Sequence, residues 1–168
     1  MAISNQISLD RIDIEILRIL QDNGRLPIVE LAKRVNLTTT PCSERVKSLE
    51  REGYISGYHA ALSAEKLGLD VLIFIHVRLD QTNLSIFDKF AKTALLIPEI
   101  EECYSLSGDF DAMIKVRVKN IKEYQKFMST RIVELPGVIQ TRSEIVIAEY
   151  KRGAGINADL IAQSQFVG

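Results

Sequence analysis

One polar segment, residues 38–51 with the sequence TTTPCSERVKSLER, groups hydroxyl-bearing and basic side chains at helical spacing. If the segment is a helix, Cys42, Val46 and Leu49 share one apolar face and the polar side chains lie opposite. Hydroxyl, lysine and arginine groups hydrogen-bond base edges and phosphates, and a helix start attracts a phosphate. The candidate DNA contacts are Thr38, Thr39, Thr40, Ser43, Glu44, Lys47 and Arg51, with Arg34 just upstream.

The acidic residues of this segment leave its function open. Lys47 and Arg51 are phosphate or guanine candidates, whereas Glu44 could accept from a cytosine amino group or pair with Lys47 or Arg45. A charged, hydrated face on a small three-helix bundle would show the same pattern. The residues alone therefore allow both a DNA contact surface and an ordinary hydrated surface.

Two helical patterns precede this segment. The first runs from Leu9 to Gln21, with Asp10 as N-cap and Asn23-Gly24 at its end. The second begins with Pro27 as its first helical residue and stops before a tight break at Asn36 to Thr38. The first helix is expected to bury a stripe at three- and four-residue spacing: Leu9, Ile12, Ile16, Leu17 and Leu20.

The third helix is predicted to run from a capping threonine, Thr38 or Thr40, to Glu52, with Pro41 in its first turn. Residues 54–62, YISGYHAAL, then indicate a short hairpin or wing. Three short helices with a tight break between the second and third are typical of the helix-turn-helix, whose third helix enters the major groove.

The pattern changes after Asp70 and has the order βαββαβ. Strands are expected at residues 71–79, 100–106, 112–118 and 138–150, and helices at 84–96 and 121–135. This order is that of a ferredoxin-like antiparallel sheet with two helices on one face. The predicted fold class is α+β, with a winged helix-turn-helix domain at 1–62, a connector at 63–70, the ferredoxin-like domain at 71–152 and a tail at 153–168.

Composition limits the function classes. The chain has 168 residues, of which 46% are hydrophobic and 26% charged, and its net charge is -1. DNA attraction must therefore come from a local basic patch, and two third helices of a dimer are needed for useful affinity. A run of about 20 apolar residues is absent, as is a secretory signal pattern, so we expect a cytoplasmic protein without a membrane partner.

The cysteines and histidines give no catalytic or metal signature. Cys42 and Cys103 are too few for a disulfide framework and are expected to be small buried hydrophobic residues. His59 and His76 lie far apart in the sequence. We find no paired nucleophile and base, no metal spacing and no phosphate loop, so an enzyme, a metal site and a cofactor are not expected.

Two longer stretches resemble one known family, the Lrp/AsnC family of leucine-responsive and asparagine regulators. LDRIDIEILRILQDNGR followed by VELAKRVNLTTTPCSERVKSLEREGYISGY is similar to its DNA-binding domain. IEECYSLSGDFDAMIKVRV, then LPGV and a strand ending in EYK, resembles its amino-acid-sensing domain. The resemblance covers roughly Leu9 to Lys151. It departs at Pro27 and Thr38-Thr39, where a capping serine and a Ser-Pro pair are common.

The resemblance implies a sequence-specific transcription regulator of double-stranded DNA, associated with the nucleoid. It implies dimers formed through the sensing domain, which assemble into tetramers or octamers and bind pseudo-palindromic sites. It also implies that a free amino acid binds between dimers, near the turn Gly108-Asp109-Phe110-Asp111. An amino-acid-binding oligomer without a DNA-binding role is the alternative that the third helix must exclude.

The chemistry of this turn suits a zwitterion. Gly108 permits a positive φ and close approach, while Asp109 and Asp111 supply carboxylates for an ammonium group. Turn amides can face a carboxylate. An ordinary β-hairpin turn is the alternative, because Gly-Asp is common turn chemistry. The candidate ligand contacts are Tyr104, Leu106, Ser107, Gly108, Asp109, Phe110, Asp111 and Met113.

Overall fold

The computed structural model describes residues 9–80, 85–151 and 156. Contacts separate a helical unit, formed mainly by the chain up to Ala61, from an α+β unit at Leu62–Tyr150. The predicted fold class, a helix-turn-helix domain followed by a ferredoxin-like domain, is confirmed. For the tail from Gly153, the sequence allows either a short helix around Ala158 to Gln163 or disorder. That segment lies outside the described residues, apart from Ile156.

The first helix, α1, covers Arg11–Asp22 and begins at a capping box. The Asp10 carboxylate accepts a hydrogen bond from the Asp13 amide at 2.8 Å, and the Asp13 carboxylate accepts one from the Asp10 amide at 3.1 Å. The bonds satisfy amides that a helix start leaves without intrahelical partners. The predicted N-cap is confirmed, and the helix ends at Asn23 as predicted.

The second helix, α2, covers Ile28–Arg34 and ends in a Schellman turn. Asn36 takes a positive φ of 55°, the Leu37 amide donates to the Ala32 carbonyl at 2.9 Å, and the Asn36 amide donates to the Lys33 carbonyl at 3.3 Å. These bonds form the predicted tight break. Pro27 is the N-cap and not the first helical residue, because its ψ of 141° is extended.

The third helix, α3, covers Thr39–Arg51, with Thr38 at the N-cap position. A threonine occupies the cap as predicted, but its side chain makes no capping hydrogen bond. Pro41 is the third helical residue, where the missing amide costs little. Gly53 follows the helix with a φ of 79°, a conformation that favours glycine and stops the helix.

The core of the helical unit confirms the apolar side of α3 and corrects that of α1. Cys42 and Leu49 are buried and Val46 is half-buried. Ile14 and Ile19, which the predicted α1 stripe omits, are buried with Leu9 and Ile16. The other stripe residues, Ile12, Leu17 and Leu20, are half-buried. Residues of α2, α3 and the following segment share this core, so more than one row of α1 side chains is covered.

Of the two forms predicted for residues 54–62, a short hairpin or a wing, the hairpin is wrong, because this segment forms no strand. The Ile55 amide donates to the Leu49 carbonyl at 3.1 Å, and the Tyr58 hydroxyl donates to the Glu50 carboxylate at 2.9 Å. Burial, with the Glu50 carboxylate, raises the pKa of Tyr58 to about 12. The segment is thus held on α3 by these bonds and not by a second strand.

The α+β unit contains one antiparallel sheet in the order β2-β3-β1-β4. Its elements in chain order are β1 Val71–Leu79, α4 Ser85–Ala94, β2 Ile100–Ser105, β3 Ala112–Val118, α5 Ile121–Thr130 and β4 Val138–Ile145. The predicted strands at 71–79 and 112–118 are confirmed. The start of the predicted helix at 84 lies outside the described residues. The final strand ends five residues before the predicted Tyr150, and α5 ends before a short 3-10 turn at Ile132–Glu134.

Alternation along β1 and β3 places one face of the sheet in the core. Ile73, Ile75 and Val77 of β1 are fully buried with Ile114 and Val116 of β3. They pack with Phe90 of α4 and Phe127 of α5 in one cluster. The opposite face carries Phe74, His76, Arg78, Met113, Lys115 and Arg117, which are half-buried. This alternation determines which β1 side chains can reach the turn after β2.

The two cysteines differ in their exposure to solvent. Cys42 is buried as predicted, but Cys103 is exposed, because β2 is an edge strand and its side chains are largely uncovered.

Within the residues that the structure describes, no helix is long and apolar enough to cross a membrane.

Gly137 is the glycine on which the α+β unit depends most. Its φ is 76°, and a Cβ there would lie 2.2 Å from the Ile86 Cγ1 atom of α4. We expect Gly137→Ala to lower the free energy of unfolding by about 2–5 kcal/mol, from left-handed strain plus overpacking. Gly68→Ala is the matched control, since Gly68 has a φ of 67° and open space around it. Urea unfolding curves that show equal losses for both variants would contradict the predicted contact with Ile86.

Candidate functional site

The polar side of α3 is exposed. Thr38, Thr39, Thr40, Glu44, Lys47 and Arg51 are all exposed, and Ser43 is half-buried. Arg34, at the end of α2, is exposed as well. Because the core holds the apolar side, the predicted DNA contacts form one accessible surface around the start and outer side of α3. The Lys47 side chain is exposed, as a DNA contact from this helix would require.

The cations of this surface differ in their engagement. The Arg51 guanidinium lies 3.1 Å from the Glu52 carboxylate and donates to the Ser48 hydroxyl at 3.0 Å. For Lys47 and Arg34, no ion pair is found with the residues that the structure describes. A cation without an ion pair can approach a phosphate without first losing a protein partner, so Lys47 and Arg34 are more available to a phosphate than Arg51.

Arg45 is the α3 cation whose partners sequence reasoning did not identify. Its Nη1 atom lies 2.7 Å from carboxylate oxygens of both Asp10 and Asp13. The suggested pairing of Glu44 with Arg45 is therefore wrong, because the Arg45 side chain points toward the start of α1. Helical spacing alone could not reveal this contact, since it joins residues more than 30 positions apart in the chain.

The turn after β2 is fixed by backbone bonds to β1. The Leu106 amide donates to the Asp111 carbonyl at 2.9 Å, and the Asp111 amide donates to the Val77 carbonyl at 2.9 Å. The Asp111 carboxylate accepts from the Leu79 amide at 2.8 Å. Arg78 donates twice to the Asp109 carbonyl, at 3.0 and 2.8 Å. The turn is therefore held in place by β1 from two sides.

An open cavity of about 420 Å³ lies beside this turn. The Phe110 ring lies 5.4 Å from the Arg78 guanidinium carbon and 5.1 Å from that of Arg142, with the His76 ring 5.6 Å away. Arg142 also pairs with Glu144 at 3.2 Å. The residues that line the cavity are His76, Ser105, Leu106, Ser107, Gly108, Asp109, Phe110 and Arg142.

Five of the predicted ligand contacts, Leu106 to Phe110, line this cavity, and three do not. The Tyr104 hydroxyl donates to Glu102 at 2.5 Å, and the Asp111 carboxylate holds the Leu79 amide. Met113 is paired with His76 across β1 and β3. Their assignment as ligand contacts remains a prediction that this geometry does not favour.

The structure does not use the positive φ that Gly108 would permit. Gly108 is not among the glycines with positive φ, and a Cβ there would meet no atom within 4 Å. The bonds of Asp111 to β1, together with Arg78, close the turn, so a left-handed residue is not required. The space in front of Gly108 is part of the cavity.

Sequence reasoning missed the cavity residues that come from other strands. His76 of β1 lies opposite Arg142 of β4 in the sheet register, which brings an imidazole and a guanidinium to the turn. No local signal predicts that register. The alternation of β1 does place His76 on the face away from the core, and this was the available clue.

The cavity offers complementary charges without a metal cluster. Asp109 and Arg142 both line it, and so do the hydroxyl-bearing residues Ser105 and Ser107. Within the described ranges, no three His, Cys, Asp or Glu side chains converge as a metal site would require. The arrangement is suited to a small molecule that has both an anionic and a cationic group.

Comparison with known proteins identifies a family for each of the two units. The family model "Lrp/AsnC ligand binding domain" matches residues 72–156, and the model "Winged helix-turn-helix DNA-binding" matches residues 9–56. The leucine-responsive regulatory protein of Escherichia coli K12 is 43% identical over 144 residues, which are 86% of this chain and 88% of that protein. Its counterpart in Haemophilus influenzae is 42% identical over 145 residues, or 86% of this chain and 87% of that protein.

Solved structures give the same assignment. A transcriptional regulator from Neisseria meningitidis in complex with L-Met superposes with a TM-score of 0.87 at 32% identity, covering 92% of this chain and 99% of that chain. An AsnC-family regulator from Agrobacterium tumefaciens gives 0.86 at 31% identity, covering 91% and 99%. The chain is a DNA-binding transcription regulator with a ligand-binding domain. It belongs to the Lrp/AsnC family.

The two aspartates of the turn should separate in their effect on stability. Asp111→Ala removes the carboxylate that accepts a hydrogen bond from the Leu79 amide. Because Leu79 is only 1% exposed, its amide is left without an acceptor, and we expect a loss of about 1–3 kcal/mol in the free energy of unfolding. Asp109→Ala should change it by less than about 0.5 kcal/mol, because Asp109 is exposed and its backbone carbonyl, which binds Arg78, is retained in the variant. Chemical denaturation measures both, and an Asp109→Ala loss as large as that of Asp111→Ala would contradict this division of roles.

Proposed function

We propose that this regulator reads double-stranded DNA with the exposed side of α3 and responds to a free amino acid bound in the cavity beside the turn at 105–110. Lys47 is exposed, forms no ion pair with the described part of the chain, and lies near the hydroxyl groups at the helix start, and this observation carries the first part of the proposal. The juxtaposition of Asp109 and Arg142 in one cavity carries the second part. A protein with this function would be located at the nucleoid, where the DNA is.

The DNA-binding surface requires more than one copy of the chain. With a net charge of -1, one chain has little general attraction for DNA. Two α3 helices presented by a homodimer bind two half-sites about one helical turn apart, which multiplies the local basic contacts. We infer a homodimer formed through the α+β unit that assembles further into a tetramer or octamer. The half-buried outer face of the sheet, with Phe74 and Met113, is the surface available for such contacts.

The cavity suits the two charged groups of an amino acid. The Asp109 carboxylate can accept from the ammonium group, and the Arg142 guanidinium can donate to the carboxylate. Arg142 is held over the Phe110 ring at 5.1 Å, which limits its rotation before a ligand arrives. Leu106 supplies an apolar surface for a side chain. The names of the relatives, leucine-responsive protein and L-Met complex, support leucine and methionine as the first effectors to test.

Coupling between the two sites follows from linkage. An amino acid bound between dimers stabilises the assembly for which its affinity is greater, and that assembly presents α3 helices at a particular spacing. The effector therefore changes DNA affinity, or the geometry of the protein–DNA complex, only to the extent that its own affinity differs between the assemblies. An effector that binds equally to all assemblies would bind without regulating.

We expect Lys47→Ala to weaken binding to DNA because a phosphate or base contact is lost. The probe is a 40-base-pair duplex that the wild-type protein selects from a random library, and fluorescence anisotropy measures the affinity. The loss should be about 3- to 100-fold, and the salt dependence should become shallower. Lys122→Ala, which changes an exposed lysine on α5, is the control and should bind like the wild type.

Failure to select any sequence at low salt would favour the alternative, an amino-acid-binding oligomer without a DNA-binding role. Equal losses in Lys47→Ala and Lys122→Ala would show that α3 is not the contact surface. Either result contradicts the first part of the proposal.

We expect calorimetric titration with the twenty amino acids to give heat for at least one of them. Arg142→Ala should weaken that binding about 10- to 100-fold, because a charge-assisted hydrogen bond to the carboxylate is lost. Arg131→Ala is the control. The Arg131 guanidinium lies 3.3 Å from the Glu134 carboxylate, and Arg131 is not one of the residues that line the cavity. Absence of heat for all amino acids, or unchanged affinity in Arg142→Ala, would contradict the proposed site.

A further inference from the structure

Arg45 connects the middle of α3 to the start of α1. One nitrogen of its guanidinium lies 2.7 Å from Asp10 Oδ2 and 2.7 Å from Asp13 Oδ1. The side chains of Arg45, Asp10 and Asp13 are 34%, 48% and 13% exposed, so Asp13 is nearly enclosed. Arg45 lies between Ser43 and Lys47 in the chain, but its side chain is committed to protein carboxylates and not to the exposed surface.

Both aspartates already have a structural role as the capping box of α1. Burial alone would raise the pKa of Asp10, but the Asp13 amide and the Arg45 guanidinium hold it below its ordinary value. The carboxylates of Asp13 and Asp10 in turn raise the pKa of Arg45. Asp10 and Arg45 are therefore both charged at neutral pH. The first turn of α1 and the centre of α3 share one set of charge-assisted hydrogen bonds.

The apolar core leaves one degree of freedom of α3 weakly determined. Contacts of Cys42, Val46 and Leu49 with the core bury one side of the helix, but hydrophobic burial is not directional. A small rotation about the helix axis keeps those residues buried and redirects Lys47. Charge-assisted hydrogen bonds depend on direction, and recognition requires placement within about 0.5 Å and 10–20°.

We propose that Arg45 is a positioning residue for DNA recognition, which fixes the rotation of α3 by binding Asp10 and Asp13. This inference rests on the proposed function of the exposed side of α3. Arg45 touches no DNA in this account. Its effect is on the register of Lys47 and the helix-start hydroxyl groups relative to base edges, so loss of the contact lowers sequence discrimination more than general affinity for DNA.

Asp13→Asn gives a test in which two explanations predict opposite signs. Removal of a negative charge near the DNA-binding surface strengthens binding if only long-range electrostatics matters. A positioning role predicts weaker binding to the selected duplex, because the amide cannot form the charged contact with Arg45. Asparagine can still accept from the Asp10 amide, so the cap of α1 is retained. Asp22→Asn, an exposed aspartate at the end of α1, is the matched control.

The experiment measures the affinity of the full-length protein for two duplexes at 20 °C. One is the 40-base-pair duplex selected by the wild type, and the other is a shuffled duplex of the same base composition. Arg45→Ala and Asp13→Asn should each bind the selected duplex about tenfold more weakly, while affinity for the shuffled duplex changes by less than about threefold. Asp22→Asn should bind both duplexes at least as tightly as the wild type.

Circular dichroism melting of each variant confirms that the protein is folded at 20 °C, so that a loss of folded protein is not read as a loss of discrimination. Asp10→Asn, at a more exposed position, replaces Asp13→Asn if the latter does not fold. Aspartate variants that bind the selected duplex as tightly as the wild type would overturn the positioning role. Equal losses of Arg45→Ala on both duplexes would identify Arg45 as a phosphate contact and overturn it as well. A wild-type protein that selects no sequence contradicts the proposed function itself.

Discussion

The apolar side of α3 must be covered, and this requirement determines which of its side chains remain outside. Cys42 and Leu49 occupy the centre of the helical unit, and α1 and α2 form the remaining walls. Exposure of these groups to water would cost roughly 1.5–3 kcal/mol for a leucine-sized side chain. The helix therefore presents its hydroxyl and basic side outward, whatever else the chain does. The Schellman turn at Asn36 ends α2 and leads the chain directly into the start of α3.

A comparable constraint operates in the α+β unit. The alternation of β1 sends Ile75 and Val77 into the core and His76 and Arg78 to the other face. Arg78 then holds the Asp109 carbonyl, and His76 meets the Phe110 ring. The position of the cavity is thus a consequence of strand register, not of the turn sequence alone. Because the turn is held on the sheet in this way, the proposed binding of a zwitterion would require little ordering of the site, which lowers its entropic cost.

Sequence patterns predicted elements and missed pairings. The βαββαβ order, the strand at 71–79 and the cap at Asp10 follow from local propensity and period, and the structure confirms them. The contact of Arg45 with two aspartates, the register that brings Arg142 to the turn, and the exposure of Cys103 depend on which distant segments meet. Local patterns carry no information about such encounters. The predicted hairpin at 54–62 failed for the same reason, because the partner of that segment is α3 and not a strand.

The account predicts an outward α3 whose direction is set by the core and by Arg45. The most direct test is the structure of this protein bound to a duplex that it selects, determined by crystallography or cryo-electron microscopy. We expect the Lys47 side of α3 to lie in the major groove, with Arg45 still bound to Asp10 and Asp13. A complex in which α3 faces away from the duplex, or in which the Arg45 guanidinium has left the aspartates for a phosphate, would contradict the account.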